Sequence, residues 1–270
     1  MNTPKLPVVL LALVLAFSSA PARCAGQGPG AKSGDLHLDS FKSKDVKIVY
    51  ATRGTGQPVV LIHGWLSSAG INWELPGISA ALAKDFRVIE MDVRGHGLSD
   101  KPKKEEAYGP ELVEDVVRLL DHLKIEKAHI VGYSMGGIIA GNFTVKHPGR
   151  VLSLTLGGMG WLEKDGLGQW FFDQIGKSDP NADALAVCGR SLAKLALSKD
   201  EIKSIKVPAA VLIGDKDPVK DLYVKPLQAV HKDWPVVEIK DADHLSCIIK
   251  PQFKEDLQAW LIKQSKRKPD

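Results

Sequence analysis

Apolar residues recur along this 270-residue chain in two alternating rhythms. The first is strand-like: Leu152–Leu156, Ala209–Ile213 and Val236–Ile239 are short strand candidates, and Pro58–Ile62 is a continuous apolar run. A run of that length, apolar on both faces, suits a strand buried inside a sheet. Phe86–Met91 and His129–Val131 are further strand candidates, and Leu36–Phe41 with Val46–Thr52 read as an antiparallel pair. The second rhythm is helical. In Glu111–Leu123, Val113, Val116, Val117, Leu120 and Leu123 share one face and charges occupy the other. Phe253, Leu257, Trp260 and Leu261 repeat that spacing near the C-terminus. Strands alternating with helices predict an α/β fold, a mostly parallel sheet with helices on both faces. Only the stretch of about 159–206 breaks the alternation. It carries Trp161, Trp170, Phe171 and Phe172 and a helical pattern around Ala184–Leu197. It is too short for a core of its own, so it reads as a small helical lid on the main domain.

The N-terminus follows a different logic. Lys5 precedes an unbroken apolar run, Leu6–Phe17, of 12 residues. That is too short to span a bilayer, which takes about 20. Small residues follow through Ala20 and Ala22. Charged start, apolar middle and small-residue end predict a signal peptide over 1–22, cut near Ala22, and a secreted or periplasmic protein without stable membrane insertion. Residues 23–34 then read as a flexible lead-in, and 35–270 as the folded domain. Arg23 stands where a lipoprotein would carry a small residue before Cys24. Export would permit a disulfide between Cys188 and Cys247; the alternative is two buried thiols.

Composition narrows the function. Hydrophobic residues make up 44% and charged residues 25%, with 36 basic against 32 acidic side chains. That balance argues against a nucleic-acid partner, which calls for a clustered basic face. The three cysteines lack metal-ligand spacing, and no Gly-rich dinucleotide fingerprint, P-loop or H-E-x-x-H occurs, so no cofactor or metal is expected.

The chemistry concentrates in three loops. Gly132-Tyr133-Ser134-Met135-Gly136 is a G-x-S-x-G, set between a strand and the small-residue helical stretch Gly136–Val145. That context makes a sharp strand-to-helix turn that exposes Ser134 as a nucleophile. A serine hydroxyl needs a base. Of the eight histidines, His244 lies just after the last strand, in Asp241-Ala242-Asp243-His244-Leu245, where an open parallel sheet gathers its catalytic groups. The base needs an orienting carboxylate. Asp215 and Asp217 both follow the strand Ala209–Ile213, and Asp217 is preferred. Asp241 and Asp243 are too close along the chain to His244 to serve well. Two backbone donors should meet the oxyanion: Met135 N–H, directly after the nucleophile, and Trp65 N–H, in the loop after Pro58–Ile62. Trp161, Trp170 and Phe171 are candidates for lining a substrate pocket. His63 reads as a loop-stabilising residue.

These segments together resemble the α/β-hydrolase superfamily. The resemblance spans roughly Asp35–Lys263 and rests on His63-Gly64-Trp65, Asp92-Val93-Arg94-Gly95-His96-Gly97-Leu98-Ser99-Asp100, Gly132–Gly137, Gly214-Asp215-Lys216-Asp217 and Asp243-His244. It implies that the Asp92–Asp100 loop, His96 included, is structural. It also implies that the acid, three residues after Gly214, is Asp217. Asp243 departs from the family pattern, which puts Gly before the histidine. Serine rather than aspartate at 134 sets the chain apart from haloalkane dehalogenases and epoxide hydrolases. Trp65 sets it apart from lipases with an H-G-G-G loop. The resemblance thus implies a serine esterase acting on a small-molecule ester, with a carbon–carbon hydrolase, lactonase, acyltransferase or non-catalytic relative as the alternatives. A short lid suggests short to medium acyl chains.

Overall fold

The computed structural model describes residues 35–177, 179 and 182–267. The expectations for the signal peptide, its cleavage near Ala22, the lead-in 23–34 and Cys24 lie outside the described residues.

Eight strands form one sheet in the order β1-β2-β4-β3-β5-β6-β7-β8. They are β1 His37–Ser43, β2 Val46–Arg53, β3 Gln57–Ile62, β4 Phe86–Met91, β5 Ala128–Tyr133, β6 Val151–Gly157, β7 Ala209–Gly214 and β8 Val236–Ile239. β1 pairs antiparallel with β2, and β2 with β4; every later pairing is parallel. The central strands β5 and β7 are buried at every position, which is why their sequences, AHIVGY and AAVLIG, do not alternate. The edge strand β1 is largely exposed, and its polar sequence reflects that.

Among the described residues eight α-helices accompany the sheet: α1 Ile78–Leu82, α2 Pro110–His122, α3 Met135–Lys146, α4 Leu167–Gln174, α5 Ala184–Ser191, α6 Lys199–Lys203, α7 Lys225–Val230 and α8 Pro251–Ser265. Two apolar cores result, one on each face. Ile78 and Leu82 of α1 join Phe253, Leu257 and Leu261 of α8 on Val59, Leu61, Val131 and Leu212. On the other face Val60, Ile62, Ile130, Val211 and Ile213 meet α2, α3 and α7. α3 is buried around nearly its whole circumference, so its apolar residues show no one-sided pattern. α8 runs back along the sheet until the Ser265 carbonyl accepts from Gln57 Nε2 at the start of β3.

Between β6 and β7 the chain leaves the sheet for α4, α5 and α6, with one isolated parallel bridge between Glu163 and Leu197. Val187, Cys188, Leu192 and Leu195 of this insertion are buried in the same core as α3. Cys188 and Cys247 are both buried free thiols. The disulfide is therefore absent. Cys188 packs on the α2–α3 face of the sheet and Cys247 on the α1–α8 face, so the two lie in separate cores. Among the described residues no helix is long and apolar enough to cross a membrane.

Candidate active site

The turn between β5 and α3 is built around backbone that few residues tolerate. Ser134 has φ 52° and ψ −114°. A positive φ at a residue with a side chain stores strain, on the order of 1–3 kcal/mol, and persists only when the surroundings impose it. Here they do. Ser134 N–H donates to the Gly157 carbonyl at 2.8 Å, and its own carbonyl accepts from Gly137 N at 2.8 Å. A Cβ at Gly132 would collide with the Gly136 carbonyl, and one at Gly136 with the Ile62 carbonyl. The motif's two glycines thus allow strand, turn and helix to touch.

His244 and Asp217 arrive from the ends of β8 and β7. His244 Nε2 lies 2.9 Å from Ser134 Oγ, and His244 Nδ1 lies 2.8 Å from Asp217 Oδ2. An ionised carboxylate only accepts, so Nδ1–H donates to Asp217 and Nε2 is left to accept the serine proton. The Asp217 side chain is fully enclosed while the His244 side chain keeps 29% of its surface exposed. The second Asp217 oxygen accepts from Val219 N at 2.9 Å, which fixes the carboxylate plane. Asp215, the other candidate, is exposed and instead accepts from Ala242 N at 3.1 Å. Asp241 pairs with Lys216 at 2.7 Å.

Asp243 caps its own loop. It accepts from Leu245 N at 3.1 Å, Ser246 N at 2.8 Å and Ser246 Oγ at 2.6 Å. Those bonds hold its carboxyl below the usual carboxylate range, with the Ser246 hydroxyl the largest cause. A residue that departs from the glycine pattern therefore shapes the histidine loop by an Asx turn.

The two expected oxyanion donors flank Ser134. Met135 opens α3, where backbone N–H groups have no intrahelical partner and the helix dipole favours negative charge. Trp65 lies in the loop after β3; an atom added at its neighbour Gly64 would sit 3.4 Å from Ser134 Cβ. Among the described residues neither amide donates to a protein acceptor. Gly64 N–H is held by Asn72 Oδ1 at 2.8 Å. The indole of Trp65 reaches the insertion, where Nε1 donates to the Leu185 carbonyl at 2.9 Å.

The neighbouring loop after β4 holds this arrangement from behind. Asp92 accepts from Ala69 N at 2.9 Å and Leu98 N at 2.7 Å. His63 donates from Nδ1 to the Gly64 carbonyl at 2.7 Å and accepts at Nε2 from Val93 N at 3.0 Å. Arg94 is buried and makes a two-point contact with the buried Asp115. Burial lowers His63 to about 4 and His96 to about 3, so both imidazoles are neutral near pH 7.

The three pocket candidates separate. Trp161 is buried and its Nε1 donates to the Leu197 carbonyl at 2.8 Å. It borders a small void under α3, together with Gly137, Gly141 and Leu195, that touches neither Ser134 nor His244. Trp170 is exposed on α4, and Phe171 is half-buried against Phe172. The aromatic side chain that the structure sets beside the oxyanion loop is that of Trp65. Two further residues contribute to the site. Asn72 carries no sequence signal at all. Tyr133 stands inside the G-x-S-x-G motif, and its hydroxyl donates to the His244 carbonyl at 2.6 Å. Burial raises its phenol well above the ordinary value, so it stays a donor.

With this geometry in place, residues 57–198 match the family model described as alpha/beta hydrolase fold. The chain belongs to the alpha/beta hydrolase family. The match runs from β3 into the insertion, stopping just before α6, and includes the Ser134 turn. This alpha/beta hydrolase is 31% identical to 3-oxoadipate enol-lactonase 1 of Acinetobacter baylyi over 208 residues, 64% of this chain and 77% of that protein. It is 28% identical to a 2-hydroxy-6-oxononadienedioate/2-hydroxy-6-oxononatrienedioate hydrolase of Comamonas testosteroni, over 77% of this chain and 66% of that one. Among solved structures it resembles a carboxylesterase of Nitrososphaera gargenis, with a TM-score of 0.68 and 22% identity over 85% of this chain and 99% of the other. At that identity the likeness shows the fold. Among the described residues of this hydrolase no three His, Cys, Asp or Glu side chains gather as metal ligands would.

Proposed function

We propose that this alpha/beta hydrolase cleaves carboxylic esters of short to medium acyl chains through an acyl-enzyme on Ser134. The observation that carries the reading is the unbroken chain Ser134 Oγ, His244, Asp217, with hydrogen-bond distances of 2.9 and 2.8 Å. Ser134 Oγ attacks the ester carbonyl carbon while its proton passes to His244 Nε2. The carbonyl oxygen becomes an oxyanion and takes hydrogen bonds from Met135 N–H and Trp65 N–H. The tetrahedral species collapses, the alkoxide leaves with the proton from His244, and the acyl group stays on Ser134. Water then attacks the acyl carbon, gives its proton to His244, and the second collapse returns Ser134 and the free acid. Asp217 holds the imidazole and stabilises its charge without taking the proton.

The lactonase relative gives a specific reason to extend the substrate class. A lactone is an internal ester and passes through the same steps. The loops around the base add a preference. Asp215, Asp241 and Asp243 lie there, and Lys216 is held by Asp241. That surrounding favours uncharged esters and lactones over substrates bearing free carboxylates. The charged, apolar and small-residue order of the first 22 residues supports an exported enzyme.

The test is turnover of p-nitrophenyl acetate, butyrate, octanoate and palmitate, of a simple lactone, and of a 2-hydroxy-6-oxodienoate, beside Ser134→Ala. We expect ester turnover with a short-chain optimum and a loss of roughly 10⁴-fold or more in the variant. Turnover of the dienoate alone, or no ester turnover above the variant, overturns the ester reading.

A further inference from the structure

Helix α5 carries a glycine where helix propensity argues against one. Gly189 is the sixth of eight residues in Ala184–Ser191, and alanine is the better helix former at such an interior position. What fills the space is Trp65. A Cβ at Gly189 would lie 2.7 Å from Trp65 Cζ2 and 2.9 Å from Cε2. Four residues earlier on the same face, Leu185 accepts the indole N–H at 2.9 Å. Between them Cys188 packs its thiol on the Met135 sulfur at 4.0 Å. One face of α5 therefore touches the side chains of both residues whose amides flank Ser134.

The other side of Trp65 is already fixed. Gly64 N–H is bonded to Asn72, and Asp92 holds Ala69 N–H. Leu66, next in the chain, has φ 61°, a conformation that apolar residues seldom adopt unless held there. The segment that carries Trp65 is thus held at Gly64 by Asn72 and at Ala69 by the loop after β4, while α5 holds the indole. Its own N–H is left with no protein acceptor among the described residues.

We propose that Gly189 is a positioning residue for the oxyanion site. By leaving room for the indole it lets α5 hold the Trp65 amide in line with Ser134, so that the insertion sets the efficiency of the chemical step. The inference rests on Trp65 N–H being an oxyanion donor, as assigned above. Displacing the indole moves that donor, and removal of one such donor costs about 10²–10³ in turnover. A partial shift should cost less.

The experiment compares the whole protein with Gly189→Ala, Trp65→Phe and the double variant. Two measurements are made on each: ester kinetics, and the rate at which a fluorophosphonate labels Ser134, which needs no knowledge of the natural ester. We expect Gly189→Ala to lower kcat and the labelling rate about 10- to 100-fold with KM little changed. Its melting temperature should fall only modestly, because the better helix former offsets part of the crowding against the indole. The smaller ring in the double variant should restore kcat and labelling to the level of Trp65→Phe alone. Wild-type protein that the fluorophosphonate fails to label overturns the Ser134 reading itself. Labelled wild type with an equally fast Gly189→Ala overturns the positioning role and leaves the Ser134 reading standing. A double variant no better than Gly189→Ala also overturns it. Should Gly189→Ala fail to fold, Trp65→Phe decides: wild-type kcat and labelling there overturn the proposal, and a loss in kcat at unchanged KM supports it.

Discussion

Two histidine–aspartate constellations stand at the same edge of the sheet, and they differ in where their nitrogens point. After β3 and β4, the side chains of His63 and Asp92 bond to loop backbone, at Gly64, Val93, Ala69 and Leu98. His63 is fully buried and His96 packs edge-on against it at 5.2 Å. After β7 and β8, Asp217 is just as buried, but it spends one oxygen on His244, whose other nitrogen meets a serine hydroxyl. Residue type does not separate the two. A nitrogen left facing a nucleophile, on a ring that reaches solvent, does. The first constellation holds the loop that carries Trp65; the second is the one that the proposed hydrolysis uses to move protons.

The comparison is most sharply broken at Asp217. Asp217→Asn should lower kcat by about 10⁴-fold, because the amide donates where the carboxylate accepted and stabilises the wrong imidazole tautomer. A melting temperature near wild type alongside that loss would show the effect is chemical. An Asn variant within tenfold of wild type would remove Asp217 from the mechanism.

His63→Phe tests the other constellation and should produce the opposite balance. It keeps the ring volume but leaves Val93 N–H and the Gly64 carbonyl buried without partners, a loss of about 3 kcal/mol in urea unfolding. Acid should matter less to the variant. His63 is held at about 4 against an ordinary 6.5, chiefly by burial. Its stabilising contribution is therefore present above pH 6.5 and is lost as pH falls through 4. The decline of stability across that window should be shallower without it.

Glu90, two residues before Asp92 on β4, is the scaffold's alkaline counterpart. It is buried. Burial first, and Glu74 second, raise it from 4.5 to about 9. Between those values the folded protein keeps a proton that the unfolded chain has released, so stability falls as pH rises toward 9. Glu90→Gln should flatten that fall and melt above wild type at pH 9. An unchanged slope would show that Glu90 is not the group responsible.

The smallest effect is expected at Asp243. Asp243→Ala removes the Asx turn under His244 and should lower kcat only a few-fold, since the Tyr133 hydroxyl still holds the His244 carbonyl. Tyr133→Phe in the same background should then deepen the loss beyond the sum of the two changes, because both bonds fix one loop.

Much of this was legible in the sequence where a single force dominates. β3 and β7 are buried on both faces along most of their length, and their unbroken apolar runs follow from that. Ser134, Asp217 and His244 could be placed because each follows a strand at the edge where a parallel sheet gathers its loops. The segment Gly70–Leu82 was not legible. It forms a short π-helical turn and α1, and buries Trp73, Ile78 and Leu82 without any sustained period. α7 is six residues long, too short to show a pattern. Asn72 was silent because its role is one side-chain bond to a backbone amide eight residues earlier. Trp161 and Trp170 could not be told apart by sequence, since burial and exposure on a short insertion depend on what it packs against. The same holds for Cys188 and Cys247, whose separation is set by which side of the sheet each reaches.

The return of α8 to the start of β3 has a practical consequence. Ser265 meets Gln57, and His37 pairs beside Thr52, level with the middle of β4. The end of α8 thus sits at the margin where the parallel strands begin, while Ser134, Asp217 and His244 sit where they finish. A surface, bead or fusion partner attached after α8 would hold the molecule from the margin opposite Ser134, Asp217 and His244.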